Sequence, residues 1–458
     1  MAQSSRRRNP RQRELPFGCR GEAPRAGGGE QAIAAAADRE GPVARLVMER
    51  VVERENMIAA WKRVKQNGGG PGVDGLDIVA TTAWMRAHWP TVREQLLAGT
   101  YQPQPVRRVA IPKPGGKGER ELGIPTVLDR LIQQAILQVL QPAFDPTFSA
   151  HSYGFRPKRS AHQAVEAARR YIEGEARRWV VDVDLEKFFD RVNHDVLMGR
   201  LATRLEDRRI LGLIRRYLNA GMLADGVAIE RHEGTPQGGP LSPLLANLLL
   251  DEVDKELENR GHAFVRYADD LRVFVRSKRA GQRVMRSLTR LFGRLKLRVN
   301  ESKSAVALAW TRPFLGFAFW WSRGGVLRVR AARESIATMK DRVRSLTRRT
   351  IGRTLSSVVQ DLRRYLLGWR AYFRLADTRR IFADLDQWIR RRLRAIQLKQ
   401  WKRGRTAFRE LRARGVPYPT AVGIARHARH WWRAATGLLN VALPASHFDQ
   451  LGLPHLAD

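Results

Sequence analysis

The residues of this chain best suited to chemistry are carboxylates. Tyr267-Ala268-Asp269-Asp270 lies between two β-rich runs, Phe264-Val265-Arg266 and Leu271-Arg272-Val273-Phe274-Val275, so the spacing predicts a hairpin with adjacent acids at its turn. Neighbouring carboxylates repel, and a bound cation removes that cost, although turns also use Asp for backbone hydrogen bonds. A second acidic stretch, Trp179-Val180-Val181-Asp182-Val183-Asp184-Leu185, alternates apolar and acidic residues and places Asp182 and Asp184 on one face of a strand. Clustered carboxylates without Cys or His suit the hard cation Mg²⁺, which takes further ligands from substrate phosphates. Such a site fits two-metal phosphoryl transfer, with an attacking hydroxyl activated at one ion and a leaving pyrophosphate stabilised at the other. The chemistry expected is nucleotidyl transfer.

The elements that must position these acids follow from the surrounding pattern. The chain has 458 residues, 43% of them hydrophobic, enough for a sizeable core in two or three domains. Residues 1–42 are rich in Arg, Gly, Pro and Ala and poor in large apolar residues, which predicts a disordered basic tail. A helical pattern from Leu46 through Val51, Ile58, Trp61 and Val64 stops at Asn67-Gly68-Gly69-Gly70-Pro71-Gly72, a glycine-rich loop without the Gly-Lys-Ser/Thr ending of a nucleotide cradle. Residues 106–124 read as a hairpin with a basic tip, followed by a helix over 127–140 and another over 161–171. Strands and helices alternate in this way to about Arg330, which predicts an α+β domain over 43–330. The remaining residues, 331–458, read as almost wholly helical.

Charge separates the two regions. Lys and Arg number 83 against 45 Asp and Glu, a net +38 that points to phosphate-bearing partners. Residues 331–458 carry 27 Lys/Arg and 9 Asp/Glu, so the excess is concentrated there. Arg348/Arg349, Arg363/Arg364, Arg379/Arg380 and Arg390–Arg392 are interleaved with Trp369, Tyr372, Phe373, Trp388, Trp401, Trp431 and Trp432. That pattern fits exposed basic ridges for an RNA backbone over a helical core that holds most of the tryptophans. The single cysteine, Cys19, excludes a disulfide framework and Cys-rich zinc modules. No run of about 18 apolar residues occurs, so a cytoplasmic protein without membrane spans is expected.

With these motifs assembled, the chain resembles the reverse transcriptase and maturase proteins encoded by bacterial group II introns, over about residues 46–433. Tyr267-Ala268-Asp269-Asp270 is similar to the family's Tyr-x-Asp-Asp box, and Asp184-Leu185-Glu186-Lys187-Phe188-Phe189-Asp190 with His194 is similar to its first catalytic block. Gly234-Thr235-Pro236-Gln237-Gly238-Gly239-Pro240-Leu241-Ser242-Pro243 with Asn247 resembles the block supporting template and nucleotide. Ile111-Pro112-Lys113, Arg120-Glu121-Leu122-Gly123-Ile124-Pro125 and Ser152-Tyr153-Gly154-Phe155-Arg156-Pro157 resemble the fingers. Gly368-Trp369, Tyr372 and Phe373 fall where the maturase (X) domain has its aromatics.

The resemblance implies a right-handed polymerase, with fingers and an antiparallel palm sheet, followed by an all-helical thumb and maturase domain. It implies that Asp184, rather than Asp182, joins Asp269 and Asp270 in holding two Mg²⁺ ions. Lys113 and Arg120 would grip the triphosphate, and Phe189 would exclude a 2′-hydroxyl, though a core phenylalanine also accounts for it. Gln237 would contact nucleotide or template or else cap a helix, and Lys303 would protonate pyrophosphate or else be a surface lysine. Arg390, Arg391, Arg392 and Trp369 would belong to the nucleic-acid-binding surface. The implied partners are intron RNA, an RNA template with a DNA primer, dNTPs and a DNA target, with a homodimer left open. The zinc-containing HNH nuclease that the family often carries lacks its cysteines here, so the primer 3′ end is expected from elsewhere. The alternatives are a domesticated reverse transcriptase in a retron, CRISPR or phage-defence setting, and an RNA-binding splicing cofactor without polymerase activity.

Overall fold

The computed structural model describes residues 47–457 apart from 113–117, 225–226, 230–232, 236–237, 350–351 and 427–438. The expected basic tail over 1–42 therefore lies outside the described residues, as do Lys113, Gln237, Trp431, Trp432 and the side chain of Arg120.

Two compact units divide the chain. In the first, residues up to 164 and 177–307, an apolar core runs from Met48 and Trp61 through the helix Val127–Phe144 to the helix Lys278–Arg294. Local chemistry sets the helix starts. The side chains of Asp77, Thr126, Asn193 and Ser277 each accept a hydrogen bond from an N–H of the helix that follows, satisfying donors that a helix leaves open at its start. Strand β1 (Val106–Pro112) pairs antiparallel with β2 (Glu119–Ile124) as the expected basic hairpin, and β1 also runs parallel to β4 (Met222–Ala224), which pairs with β5 (Val227–Ile229).

The second sheet has the order β6-β7-β3-β8, from β3 (Trp179–Val183), β6 (Ala263–Tyr267), β7 (Asp270–Val275) and β8 (Ala305–Leu308). Its register gives it two unlike faces. Val181 and Val183 pair with Val273 and Leu271, and this valine-rich face carries the helix Lys278–Arg294. At Gly281 the helix comes so close that a Cβ would meet Val306, Val275 and Val181. Asp182 pairs with Arg272 on the other face, where Asp270 also projects.

The second unit gathers 165–176 and 308–458. It contains the hairpin β9 (Phe317–Trp321) and β10 (Leu327–Ala331), then helices including Arg333–Leu346, Leu355–Phe373 and Arg379–Gln400. The sequence pattern places a boundary at 330, whereas the compact units divide at 307/308. Packing explains the difference: Phe317 lies 5.5 Å from Tyr372 and 5.0 Å from Phe373, and the Tyr372 hydroxyl donates to the Leu315 carbonyl at 2.9 Å. A hairpin reads as palm by its strands, yet its aromatic face belongs to the helices.

Candidate active site

The two-residue turn Ala268-Asp269 joins β6 to β7, with Tyr267 paired to Asp270. Ala268 has φ +57°, a left-handed conformation that costs a non-glycine residue about 1 kcal/mol or more and persists only where neighbours enforce it. The enforcing group is Arg266, 1% exposed, whose Nη1 donates to the Ala268 carbonyl and to Asn247 Oδ1, both at 2.9 Å. Its Nε and Nη2 grip the Asp254 carboxylate at distances from 2.5 to 3.0 Å. Asn247 Nδ2 in turn donates to the Gly154 carbonyl at 2.9 Å. Gly154 lies so close to the turn that a Cβ would run into the backbone nitrogen of Ala268. Residues read as part of separate motifs, Ser152–Pro157 and Asn247, thus meet under the acidic turn.

Asp184 follows directly after β3. The register that pairs Asp182 with Arg272 and Val183 with Leu271 sets Asp184 opposite Asp270 one step further on. Its backbone is held from the other side by residues 300–304: the Asp184 N–H donates to Ser304 Oγ at 3.0 Å, and its carbonyl accepts from the Asn300 N–H at 2.8 Å. The same segment brings Lys303 Nζ to 3.6 Å from Asp184 Oδ1.

Electrostatics separates the acids. Asp182 is buried and ion-paired to Arg272 at 3.2 Å, while the Asp184 side chain keeps 43% of its surface accessible. This supplies a physical reason for preferring Asp184 over Asp182 as a ligand. Arg272 also approaches Asp270 at 3.8 Å. Crowding by protein nevertheless pushes the Asp270 carboxyl up to about 6, against the pull of Arg272 and with the help of Asp182, Asp269 and Asp184, although 39% of the Asp270 side chain remains accessible. Asp269 and Asp184 are therefore each near enough to Asp270 to repel it. Among the described residues no group of three His, Cys, Asp or Glu side chains is placed to hold a metal ion as it stands. The donor set, all carboxylate oxygen with its negative charge incompletely offset, fits a hard divalent cation that draws further ligands from substrate.

Phe189 is half-buried, edge-on to the buried Phe188 at 5.1 Å. Its carbonyl accepts from the Thr235 N–H at 2.7 Å, and the Gly234 N–H donates to the Val192 carbonyl at 2.7 Å. Gly234, at φ +93°, sits where a Cβ would strike the Asp190 carbonyl, and His194 Nε2 bonds the Gly234 carbonyl at 2.7 Å. The block starting at Gly234 is thereby fastened to the block starting at Asp184.

In the second unit two residues expected at the nucleic-acid-binding surface, Trp369 and Arg390, are largely buried. Trp369 is 8% exposed, within 4.6 Å of Phe373 and 5.3 Å of Phe382, because it faces the helix core. Arg390 is likewise 8% exposed; its guanidinium donates to His455 Nδ1 at 2.9 Å and lies 3.8 Å from Asp449, so it ties the chain's last helix and tail to the helix Arg379–Gln400. Arg391 is partly exposed, and Arg392 is half-buried against Trp388 at 5.5 Å while donating to Thr347 Oγ1 at 2.6 Å. The Arg390→Ala variant is expected to lose about 1–3 kcal/mol of stability in thermal melts, with the salt dependence of RNA binding unchanged.

Sequence reading missed Arg266 and Asp254. The signal was a set of polar residues at helical spacing, Asn247, Asp251 and Asp254, on one face of the leucine-rich helix Ser242–Asn259, opposite an arginine inside an apolar strand.

Two stretches of the chain match known families of proteins. Residues 111–319 match the family described as reverse transcriptase (RNA-dependent DNA polymerase), and residues 336–415 match the group II intron, maturase-specific domain. Protein YkfC of Escherichia coli is 35% identical over 298 residues, covering 56% of this chain and 78% of that protein. Group II intron-encoded protein LtrA of Lactococcus lactis is 44% identical over 162 residues, 35% of this chain and 27% of that one. Nuclear intron maturase 2 of Arabidopsis thaliana is 28% identical over 178 residues, 30% of this chain and 24% of its own. Among the described residues no helix is long and apolar enough to cross a membrane. With an acidic hairpin turn braced against the glycine of one motif and the asparagine of another, and both domain types present in order, the chain belongs to the family of group II intron-encoded reverse transcriptases and maturases, with an RNA-directed DNA polymerase domain.

Proposed function

We propose that this chain extends a DNA 3′ end on an RNA template in the cytoplasm, and that it binds its parent intron RNA, assists its splicing and copies it at a DNA target. The observation that supports the reading is the strand register, which sets Asp184 opposite Asp270 at one end of the sheet, next to Asp269 in the turn. Asp184, Asp269 and Asp270 would hold two Mg²⁺ ions, which when bound activate a primer hydroxyl and offset charge on pyrophosphate.

The protein's own groups do the rest. Arg272 keeps Asp182 engaged and out of the ligand set. Lys303, beside Asp184, is a cation placed where negative charge collects and is the group proposed to protonate the leaving pyrophosphate. Lys113 and Arg120 are assigned to the triphosphate, and Gln237 to nucleotide or template. Phe189, anchored through its backbone to Thr235 and through its ring to Phe188, is assigned to exclusion of a 2′-hydroxyl.

Primer extension on oligo(dT)/poly(rA) with dTTP and Mg²⁺ tests the reading, and absence of incorporation by folded protein refutes it. In the same assay the Phe189→Ala variant is expected to lower the preference for dTTP over UTP by about 10- to 100-fold, the scale at which a steric pocket discriminates one small group. Unchanged preference removes the assignment.

A further inference from the structure

At the end of β6 and β7 remote from the acidic turn lies a basic pocket that none of the proposed chemistry uses. Its volume is about 400 Å³, and its lining sets Arg177, Arg260, His262, Arg276 and Arg283 beside Val275, Ala280 and Val284, with most of the accessible surface apolar. Among the described residues no carboxylate lines it. Glu256, one helical turn before Arg260, is taken up by that arginine, which also donates to Ser287 Oγ at 2.6 Å. Arg276 and Arg283 are exposed. Burial, then Arg260 and Arg177, lower the pKa of His262, so the cationic field reaches the pocket wall.

Position separates this pocket from the candidate active site. Val275 lies five residues along β7 from Asp270, roughly 17 Å at the usual strand rise. Ala280, Arg283, Val284 and Ser287 come from the helix that covers the valine-rich face, opposite the face on which Asp182, Asp270 and Arg272 project. Phosphates seated here therefore do not belong to the nucleotide or primer end at the carboxylates. Like charges gathered in a concave site repel one another until an anion enters, and a backbone carrying phosphates at regular spacing satisfies several at once.

We infer that this pocket is a second nucleic-acid site, one that takes phosphodiester groups of a folded RNA on the back of the polymerase domain. The inference rests on the nucleic-acid reading above only for the identity of the polyanion.

The test compares two double variants of the full chain that remove equal charge from exposed positions: Arg276→Gln with Arg283→Gln in the pocket, and Arg286→Gln with Arg290→Gln on the same helix but outside the pocket lining. Binding of a transcribed group II ribozyme RNA is titrated against salt, with melting temperature as a check on folding. The pocket variant is expected to weaken binding about 10-fold and to reduce the slope of log K against log salt by about 2, one for each phosphate that no longer meets an arginine. The outside variant is expected to change the slope by less than half as much. Equal weakening in the two variants, or none in the first, overturns the inference. Displacement of the RNA by an equimolar amount of pyrophosphate overturns it as well, because the pocket is then a small-anion site. Extension of oligo(dT)/poly(rA) by the unaltered protein reports separately on the polymerase reading, so the two can fail independently.

Discussion

Asp269→Asn is expected to abolish incorporation of dTTP on oligo(dT)/poly(rA), reducing the rate at least about 1000-fold at saturating Mg²⁺ while leaving the melting temperature within a few degrees of the parent. The change keeps size and hydrogen-bonding shape and removes one negative oxygen donor. It also relieves repulsion at Asp270, whose carboxyl is pushed up partly by Asp269, so any effect on stability should be slight or favourable. Activity and stability are expected to move independently, which distinguishes a metal ligand from a residue that merely shapes the turn. Wild-type incorporation in this variant would overturn the metal assignment.

The second large effect falls on stability. Asp254→Ala leaves the Arg266 guanidinium, 1% exposed, without its carboxylate partner in the interior, and the expected loss is about 3–5 kcal/mol in chemical denaturation. Replacing both members with apolar residues, Asp254→Leu with Arg266→Met, is expected to cost less than the single change, because no buried charge is stranded. The double variant still loses the Arg266 bond to the Ala268 carbonyl, and with it the brace on a left-handed turn. It should therefore recover stability without recovering full incorporation. A double variant as unstable as the single one would show that the ion pair itself, rather than the stranded charge, supplies the energy.

The acidic hairpin, the alternating strand at Asp182 and Asp184, the basic hairpin over 106–124 and the helices after 127 and 161 were all legible in the sequence, because each is written in local spacing: period two for strands, turn residues between them, capping residues before helices. The preference for Asp184 over Asp182 was not legible from spacing, since both occupy the same face of one strand. It depends on Arg272, which meets Asp182 only after β3 and β7 align. The basic run at Arg390–Arg392 shows the same gap from the other direction: three adjacent arginines look alike in sequence, yet a helix points them in different directions, and one of them closes onto His455 and Asp449.

By itself, the order of residues marked out a set of candidate groups, Asp184, Asp269 and Asp270, and a kind of chemistry to test, since carboxylates clustered without thiols or imidazoles favour a hard cation. Only the tertiary structure decided how they come within range: Asp184 beside Asp270, the turn braced by Arg266, Asn247 and Gly154, and a cluster of arginines on the far side of the same sheet. The physical reason is that composition and periodicity are local properties of the chain. Charge coupling, buried ion pairs and close backbone approach arise between residues on different elements, from 12 positions apart at Arg266 and Asp254 to 93 at Asn247 and Gly154, and they exist only once those elements are packed in register.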